Sequence, residues 1–395
     1  MLEITLKELK IKKLKKMLFQ RIAVFIQLFN NLKFTFILPK PKKILLFDEG
    51  HSELLKVIIK KDFNILRVRR KKINILIYLK QIIFFDFKFS TYCKNYIKFI
   101  SPKVVITLNT KREEFYKLKH SFNNIYFISV MSGLCYNDDF KNKKKDTLIP
   151  LQCDYFFVVN KYYINKFQKF IKSEFDVLGH HKNNLVGVNK TKFKGEFLFI
   201  SRLYEDKYTM NFNKILLNFI NLYLSRHNKK LHILLKGDAT LLKKVGPERL
   251  EIVRRMHEEE INFYKKIFKS NCVFYNSSSW KKKYQILDNF DNIISTYSGM
   301  GYEAISRKKK IVFFAPKKFS GSNYYFGWPA PLDNQKKYNF FSSKNLTYKE
   351  VERVLNNIKN CTQYSWEKKY YPVVKDQSYF NKDNKKLKDI ILKLI

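Results

Sequence analysis

At 395 residues the chain is long enough for two domains, each with a core of its own. Hydrophobic residues at 45% and aromatics at 16% exclude a disordered chain. The formal net charge is +44, a surplus that favours polyanions or an anionic membrane face, although Lys, Asn, Ile, Phe and Tyr are over-used together, as AT-rich coding produces. The cysteines, Cys93, Cys135, Cys153, Cys272 and Cys361, stand singly with no C-x-x-C pair. That pattern fits a reducing compartment and argues against a disulfide framework or a zinc site.

Residues 1–40 read as a basic N-terminal helical segment in which Lys7, Lys10, Lys12 and Lys13 interleave with Leu6, Leu9, Ile11 and Leu14. Such a segment is either a membrane-surface helix or a solvated helix packed on the first domain. The apolar stretch from Ile22 to Phe29 is far short of the ~20 residues that span a bilayer. With no small-residue cleavage site after it, a cytoplasmic location is expected.

From Lys42 onward, short apolar runs alternate with segments long enough for helices. Ile44–Phe47, Ile73–Tyr78, Val104–Leu108, Ile125–Val130, Tyr155–Val159 and Phe175–Leu178 are predicted strands. Helices are predicted from Glu53, over Glu113–His120 and over Tyr162–Lys172. This alternation predicts a parallel sheet covered on both faces. Ligands of such sheets sit outside the carboxyl ends of the strands, which singles out the loops Asp48–Ser52, Met131–Leu134 and Gly179–Asn184. Residues 41–181 form the expected first domain, and polar 182–195 the linker. A second series over 196–360 has strands Phe197–Ser201, Leu231–Leu235, Val273–Tyr275, Ile293–Ser295 and Ile311–Phe314, with long helices over Asn211–Ser225 and Leu250–Phe268. Residues 361–395 are expected to be a helical tail.

The most informative stretch is Asn292–Glu303, N-I-I-S-T-Y-S-G-M-G-Y-E. A buried strand that turns through small residues into a helix leaves free backbone N–H groups and a positive dipole end, a ready anion site. Gly299 and Gly301 allow close approach to the backbone, and Ser295, Thr296 and Ser298 bring hydroxyls. Glu303 lies a turn inside the helix, where it can accept from sugar hydroxyls; a plain β–α turn is the alternative. Tyr297 either stacks on a base or belongs to the core. At other strand ends stand Ser201 with Arg202, Lys236, and the cluster Asp48, Glu49 and His51. His180 and His181 lack companions for a zinc site, and phosphate contact or a plain loop remains.

Three motifs carry a resemblance to a family. S-G-M-G-Y-E-A-I-S-R-K-K-K from Ser298 is similar to an S-T-x-G-Y-E-A-φ-x-R-G-K-K loop and helix, φ being apolar. Y-F-G-W-P at Tyr325–Pro329 is similar to an F-G-W-P signature, and F-D-V-L-G-H-H-K-N-N resembles an interdomain segment. E-x-x-F-Y-K-K-I-F at Glu260–Phe268 fits as well. Together they resemble the bacterial surface-carbohydrate biosynthesis family, of GT-B glycosyltransferase type. Lys308 stands where that family has Gly, His180 where it has Ser, and Gly299 where it has a hydroxyl residue.

The resemblance implies an α/β architecture of two Rossmann-like doubly wound domains facing across a cleft. The implied activity is metal-independent transfer of a sugar from a nucleotide-activated donor to a surface polysaccharide or lipopolysaccharide acceptor. The donor is a substrate, with CMP-linked sugars among the candidates, and no further cofactor is implied. Ser201, Arg202, Lys236, Ser295, Tyr297, Ser298, Gly299, Gly301 and Glu303 are the candidate donor-site residues. Arg202 suits a leaving phosphate through a bidentate contact. Asp48, Glu49 and His51 are the catalytic candidates, with Glu49 or His51 preferred as the base that deprotonates the acceptor hydroxyl. A glycolipid or polysaccharide partner follows from the same resemblance, the charge is compatible with a peripheral seat on the inner face of the inner membrane, and no nucleic-acid partner is expected. Nucleotide-sugar epimerases and CDP-polyol phosphotransferases are alternatives on the same fold. A basic nucleic-acid-binding protein is the alternative of another class, but the Lys runs lack interleaved aromatics and no recognition module appears.

Overall fold

The computed structural model describes residues 33–68, 72–82, 88–133, 150–202, 207–238, 247–277, 279–296, 298–314, 339–343 and 345–395. Most of the expected N-terminal helix, Tyr297 and the Tyr325–Pro329 motif lie outside the described residues. Two compact units are present, Met1–Ser129 with Leu394–Ile395, and Val130–Lys393.

The first unit runs β1 (Lys33–Thr35), β2 (Ile44–Phe47), α1 (Ser52–Ile59), β3 (Asn64–Leu66), β4 (Lys72–Asn74), α2 (Ile75–Ile82), α3 (Phe89–Ile100), β5 (Val104–Thr107), α4 (Glu113–Lys119) and β6 (Tyr126–Val130). β2 lies parallel to β3 and β5, and β5 parallel to β6. Every residue of β2 and β5 is buried, which is why they read as unbroken apolar runs rather than alternating ones. β1 pairs with β4 in a separate parallel ribbon. The run Ile73–Tyr78, predicted as a strand, divides instead: β4 ends at Asn74 and α2 begins at Ile75. Asn74 Oδ1 accepts from the Ile77 N–H at 3.2 Å, a helix-starting bond. A short apolar run has no periodicity of its own to decide between strand and buried helix, and a single Asn decided it.

The second unit contains the parallel pair β7 (Leu151–Val158) and β8 (Ile171–Val177), joined by α5 (Lys161–Phe167). α5 starts on Asn160, whose side chain accepts from Tyr163 N, and stops five residues short of the predicted Lys172. Next come β9 (Phe193–Ile200), α6 (Lys207–Arg226), β10 (Leu231–Asp238), α7 (Pro247–Phe268), β11 (Cys272–Ser277), α8 (Trp280–Asp288), β12 (Phe290–Ser295), α9 (Gly299–Ser306), β13 (Lys310–Phe314), β14 (Ser342–Ser343) and α10 (Tyr348–Asn360). Their strands form one sheet in the order β11-β10-β9-β12-β13-β14, parallel throughout. β9 starts four residues before the predicted Phe197 because Gly195, at φ +75°, carries a register shift and gives its N–H to Asp291 Oδ1 at 3.0 Å. Leu216, Leu217 and Ile220 of α6, and Val351 and Leu355 of α10, cover the sheet centre with no measurable exposure.

The tail is woven into this unit. Trp366 is fully buried in the core, and α11 (Lys385–Leu394) ends the chain. Asn160 Nδ2 donates to the Gln377 carbonyl at 2.8 Å, Asn184 Nδ2 to Asn384 Oδ1 at 2.9 Å, and Asn384 Nδ2 to the His181 carbonyl at 2.9 Å. Gly179, at φ +80°, bridges to Phe380. A Cβ there would overlap the Tyr379 carbonyl oxygen and lie 2.8 Å from its carbon, so only glycine fits. Within the segment expected to be the linker, Asn183 and Asn184 are buried. Among the described residues no helix is long and apolar enough to cross a membrane.

Candidate functional site

Relative to chain order, the sheet grows outward in two directions from the pair β9–β12. Strands to one side were laid down before the direction reversed, strands to the other side after it. This is the topological switch point of a doubly wound sheet, where the loops at the carboxyl ends part and leave a crevice. The carboxyl ends at that point are Ile200-Ser201-Arg202 and Ser295-Thr296, both singled out by the sequence.

After β12 the chain enters α9 through Ser298. That residue sits at the N-cap in extended backbone, and its side chain bonds none of the first-turn N–H groups. The dipole end and its backbone donors are therefore not closed by a capping side chain. The two glycines do different work. Among the described residues, a Cβ on Gly299 would meet nothing within 4 Å, so none of them fills the space in front of the helix start. A Cβ on Gly301 would overlap Ser295 Oγ and lie 2.6 Å from Ser295 Cβ, so Gly301 lets α9 lie close on β12. Ser295 is correspondingly buried beneath the helix, as is Thr296. Of the hydroxyls grouped by the sequence, only Ser298 stays partly exposed.

Glu303 does not stand alone. Its carboxylate accepts from the Tyr284 hydroxyl on α8, and His180 Nδ1 lies 3.2 Å from its other oxygen. Burial pushes the His180 pKa down, with Glu303 pulling it partly back. The Tyr284 hydroxyl is raised well above its ordinary value by burial first and by Glu303 second. The Glu303 side chain keeps 13% of its surface exposed, so it presents an edge outward while both neighbours hold it from within. Glu303 and His180 each stand out in the sequence, but their pairing is visible only in the structure. Tyr284 gave no signal, since its partner lies on another helix.

Just beyond, Arg307 ties α9 to the segment ahead of β9. Its Nε donates to Asp288 Oδ1 at 2.7 Å, Nη1 to Asn183 Oδ1 at 2.9 Å, and Nη2 to the Gly187 carbonyl at 2.8 Å. Both members of the Arg307–Asp288 pair have wholly buried side chains. Lys309 Nζ adds bonds to the Asp288 carbonyl at 2.6 Å and Thr191 Oγ1 at 3.1 Å. The basic end of the resembled motif thus fastens this segment rather than facing a ligand.

The other strand ends vary in what they present. Ser201 is buried, donating to Glu260 and accepting from the Tyr264 hydroxyl at 2.7 Å. Glu260 Oε1 also accepts from Lys236 N at 2.9 Å, so one carboxylate of α7 binds the ends of β9 and β10 together. That gives the E-x-x-F-Y motif a structural task the sequence did not reveal. Arg202 is half-buried and the Lys236 side chain is exposed. In the first unit, Asp48 is buried, accepting from Gly50 N at 3.3 Å and from Asn109 Nδ2 at 3.1 Å. Glu49 is half-buried, and His51 is exposed at the α1 N-cap with φ +64°.

Parallel sheets, helical crossovers and a glycine-bearing helix start at a switch point define a Rossmann-like α/β protein. Two solved structures share the whole fold. One is a "putative UDP-N-acetylglucosamine 2-epimerase" from Listeria monocytogenes, with TM-score 0.52, 9% identity, and coverage of 89% of this chain and 96% of that one. The other is UDP-GlcNAc 2-epimerase from Neisseria meningitidis, with TM-score 0.51, 9% identity, and coverage of 92% and 100%. A glycosyltransferase from Rickettsia africae matches at TM-score 0.45 and 11% identity, over 90% and 99%. The fold is that of the two epimerase structures, Rossmann-like α/β in both units. No curated protein matches the sequence. Residues 130–395 match the family described as "putative O-antigen biosynthesis protein", and the chain belongs to that family.

Proposed function

We propose that this protein is a glycosyltransferase that passes a sugar from a nucleotide-activated donor to an acceptor in O-antigen or related surface-polysaccharide synthesis. The observation that carries this reading is the start of α9 at the switch point of the sheet, uncapped by its N-cap side chain and, among the described residues, open in front of Gly299. Family membership and fold support it. The donor's phosphates bind at the α9 N-terminus, where backbone N–H groups and the helix dipole favour negative charge. Arg202, at the end of the adjacent strand, adds a cation, and Glu303 turns its exposed edge to sugar hydroxyls. Asp48 is committed to holding its own loop, which leaves Glu49 or His51 as the base. That base takes the proton from the acceptor hydroxyl, the hydroxyl oxygen bonds to the anomeric carbon, and the nucleotide departs with the bonding pair. No metal is required when helix dipole and arginine meet the leaving charge.

The test is thermal unfolding against CMP, CDP, UDP, GDP and ADP. A nucleotide at about a hundred times its dissociation constant adds about 2.7 kcal/mol of stability. Gly299→Val should leave the unliganded melt nearly unchanged, since the position is open, and should erase that gain. Incubation of the matching nucleotide-sugar with and without an acceptor fraction then separates a transferase from an epimerase, which changes the sugar with no acceptor present. Absence of any nucleotide effect on the wild type would remove the reading.

A further inference from the structure

We propose that His180 is a positioning residue for donor binding, a neutral ring that gives its Nδ1 proton to Glu303 and leaves Nε2 unprotonated. This role rests on the reading of Glu303 as an acceptor for sugar hydroxyls and adds the residue on which that acceptor depends. His180 Nδ1 lies 3.2 Å from Glu303 Oε1, and the Tyr284 hydroxyl donates to Oε2. The terminal torsion of a glutamate is broad, so one donor alone would let the carboxylate swing. Two donors, from α8 and from the segment after β8, fix its plane. Each oxygen then keeps acceptor capacity for the exposed edge. A neutral donor orients the carboxylate without cancelling the charge that strengthens its bonds to hydroxyls, as a lysine in the same place would do.

The other ring nitrogen separates this role from simple fastening. Nε2 is buried and meets no hydrogen-bond partner among the described residues. A buried polar atom left unpaired costs stability, and a leucine in its place would spare that cost. Nor is the ring needed to tie its segment to α9. Asn183 Nδ2 already donates to Ser306 Oγ at 2.8 Å, and Arg307 Nη1 donates to Asn183 Oδ1 at 2.9 Å. A proton on Nε2 would be buried without an acceptor, which favours the neutral ring and its Nδ1–H form. Burial lowers the His180 pKa, in the same direction. An imidazole kept at a cost to the fold, with its one bonded nitrogen on Glu303, serves that carboxylate.

Isothermal titration tests it, with whichever of CMP, CDP, UDP, GDP and ADP stabilises the wild type most. His180→Leu should weaken that affinity about tenfold, the size of a lost bond to a charged group. The same variant should melt, without nucleotide, at or above the wild-type temperature. His180→Asn puts an N–H where Nδ1 stands and should recover most of the affinity. His180→Gln carries its amide toward the place of Nε2 and should not. In a Glu303→Gln background, His180→Leu should cause no further loss, because the histidine acts only through that carboxylate. Nitrogen-15 spectra of the wild-type imidazole should show the neutral Nδ1–H tautomer. If the wild type binds no nucleotide of the panel, the transferase reading falls and the proposal with it. If the wild type binds and His180→Leu binds equally well, the proposal alone falls. Additive losses in the double variant, equal affinities of His180→Asn and His180→Gln, or an Nε2–H tautomer would each overturn it. A His180→Leu chain that does not fold would overturn it as well, assigning the ring to the fold.

Discussion

Lys308 follows the last turn of α9 at φ +61°. Its N–H bonds the Ile305 carbonyl at 2.8 Å, while Lys309 N bonds the Ala304 carbonyl at 3.1 Å. That pattern is a Schellman ending, whose left-handed residue is usually glycine. The resembled motif has Gly there, and this chain carries a side chain in its place. A left-handed non-glycine residue costs about 1–2 kcal/mol, partly offset by the greater unfolded-state freedom glycine would bring. Lys308→Gly is therefore expected to stabilise the protein by about 0.5–1 kcal/mol, read from the denaturation midpoint. Its exposed contact with Glu367 at 3.7 Å adds little on the other side. His180 gives a second residue-scale expectation. Its pKa is lowered in the folded state by burial, so below the ordinary value of about 6.5 the unfolded chain takes up a proton that the folded chain refuses. Stability is then full above that pH and falls as pH drops toward the folded pKa, by up to about 1.4 kcal/mol per unit. His180→Ser should flatten that acid-side slope in melts between neutral and mildly acidic pH, leaving the part due to His232, which burial also lowers.

At the scale of elements, Arg307 joins α8, α9 and the segment before β9 through one guanidinium. Replacing it with Met leaves Asp288 buried without its cation, and breaking such a pair from one side costs about 3–5 kcal/mol. Arg307→Met should lower the unfolding free energy by that amount. Replacing Arg307 and Asp288 together by apolar residues should recover a good part of it, which a double-mutant cycle would read. Gly301 and Gly299 make a matched pair on one helix turn. Gly301→Ala forces α9 away from Ser295 and should cost about 1–3 kcal/mol, whereas Gly299→Ala meets open space and should cost little. Equal costs in parallel melts would mean that α9 does not lie on β12 as described.

For the whole molecule, the tail is part of the second unit's core rather than an appendage. Asn160, Asn184, His181 and Gly179 all take partners from residues 377–384, and Trp366 fills the interior. Deleting residues 361–395 would leave buried amide groups unpaired at about 1–3 kcal/mol each. Such a truncation should lose cooperative unfolding, seen as a broad melt and rapid proteolysis.

By itself the sequence determined the α/β class, most strands, and the turn from Ile294 through Gly299 into a helix. Buried parallel strands are continuous apolar runs, and glycines at a strand-to-helix turn have few other uses, so those features are written locally. It did not determine that Asn74 starts a helix inside an apolar run, because one side-chain bond outweighed a neutral local preference. Nor could it show that Ser295 and Ser201 turn inward while Gly299 stays open, or that Glu303 is shared between His180 and Tyr284. Those arrangements depend on which elements meet after folding. Tyr284 lies on α8, Glu303 on α9 and His180 in the segment after β8, and only the packing of those elements brings the three into one site.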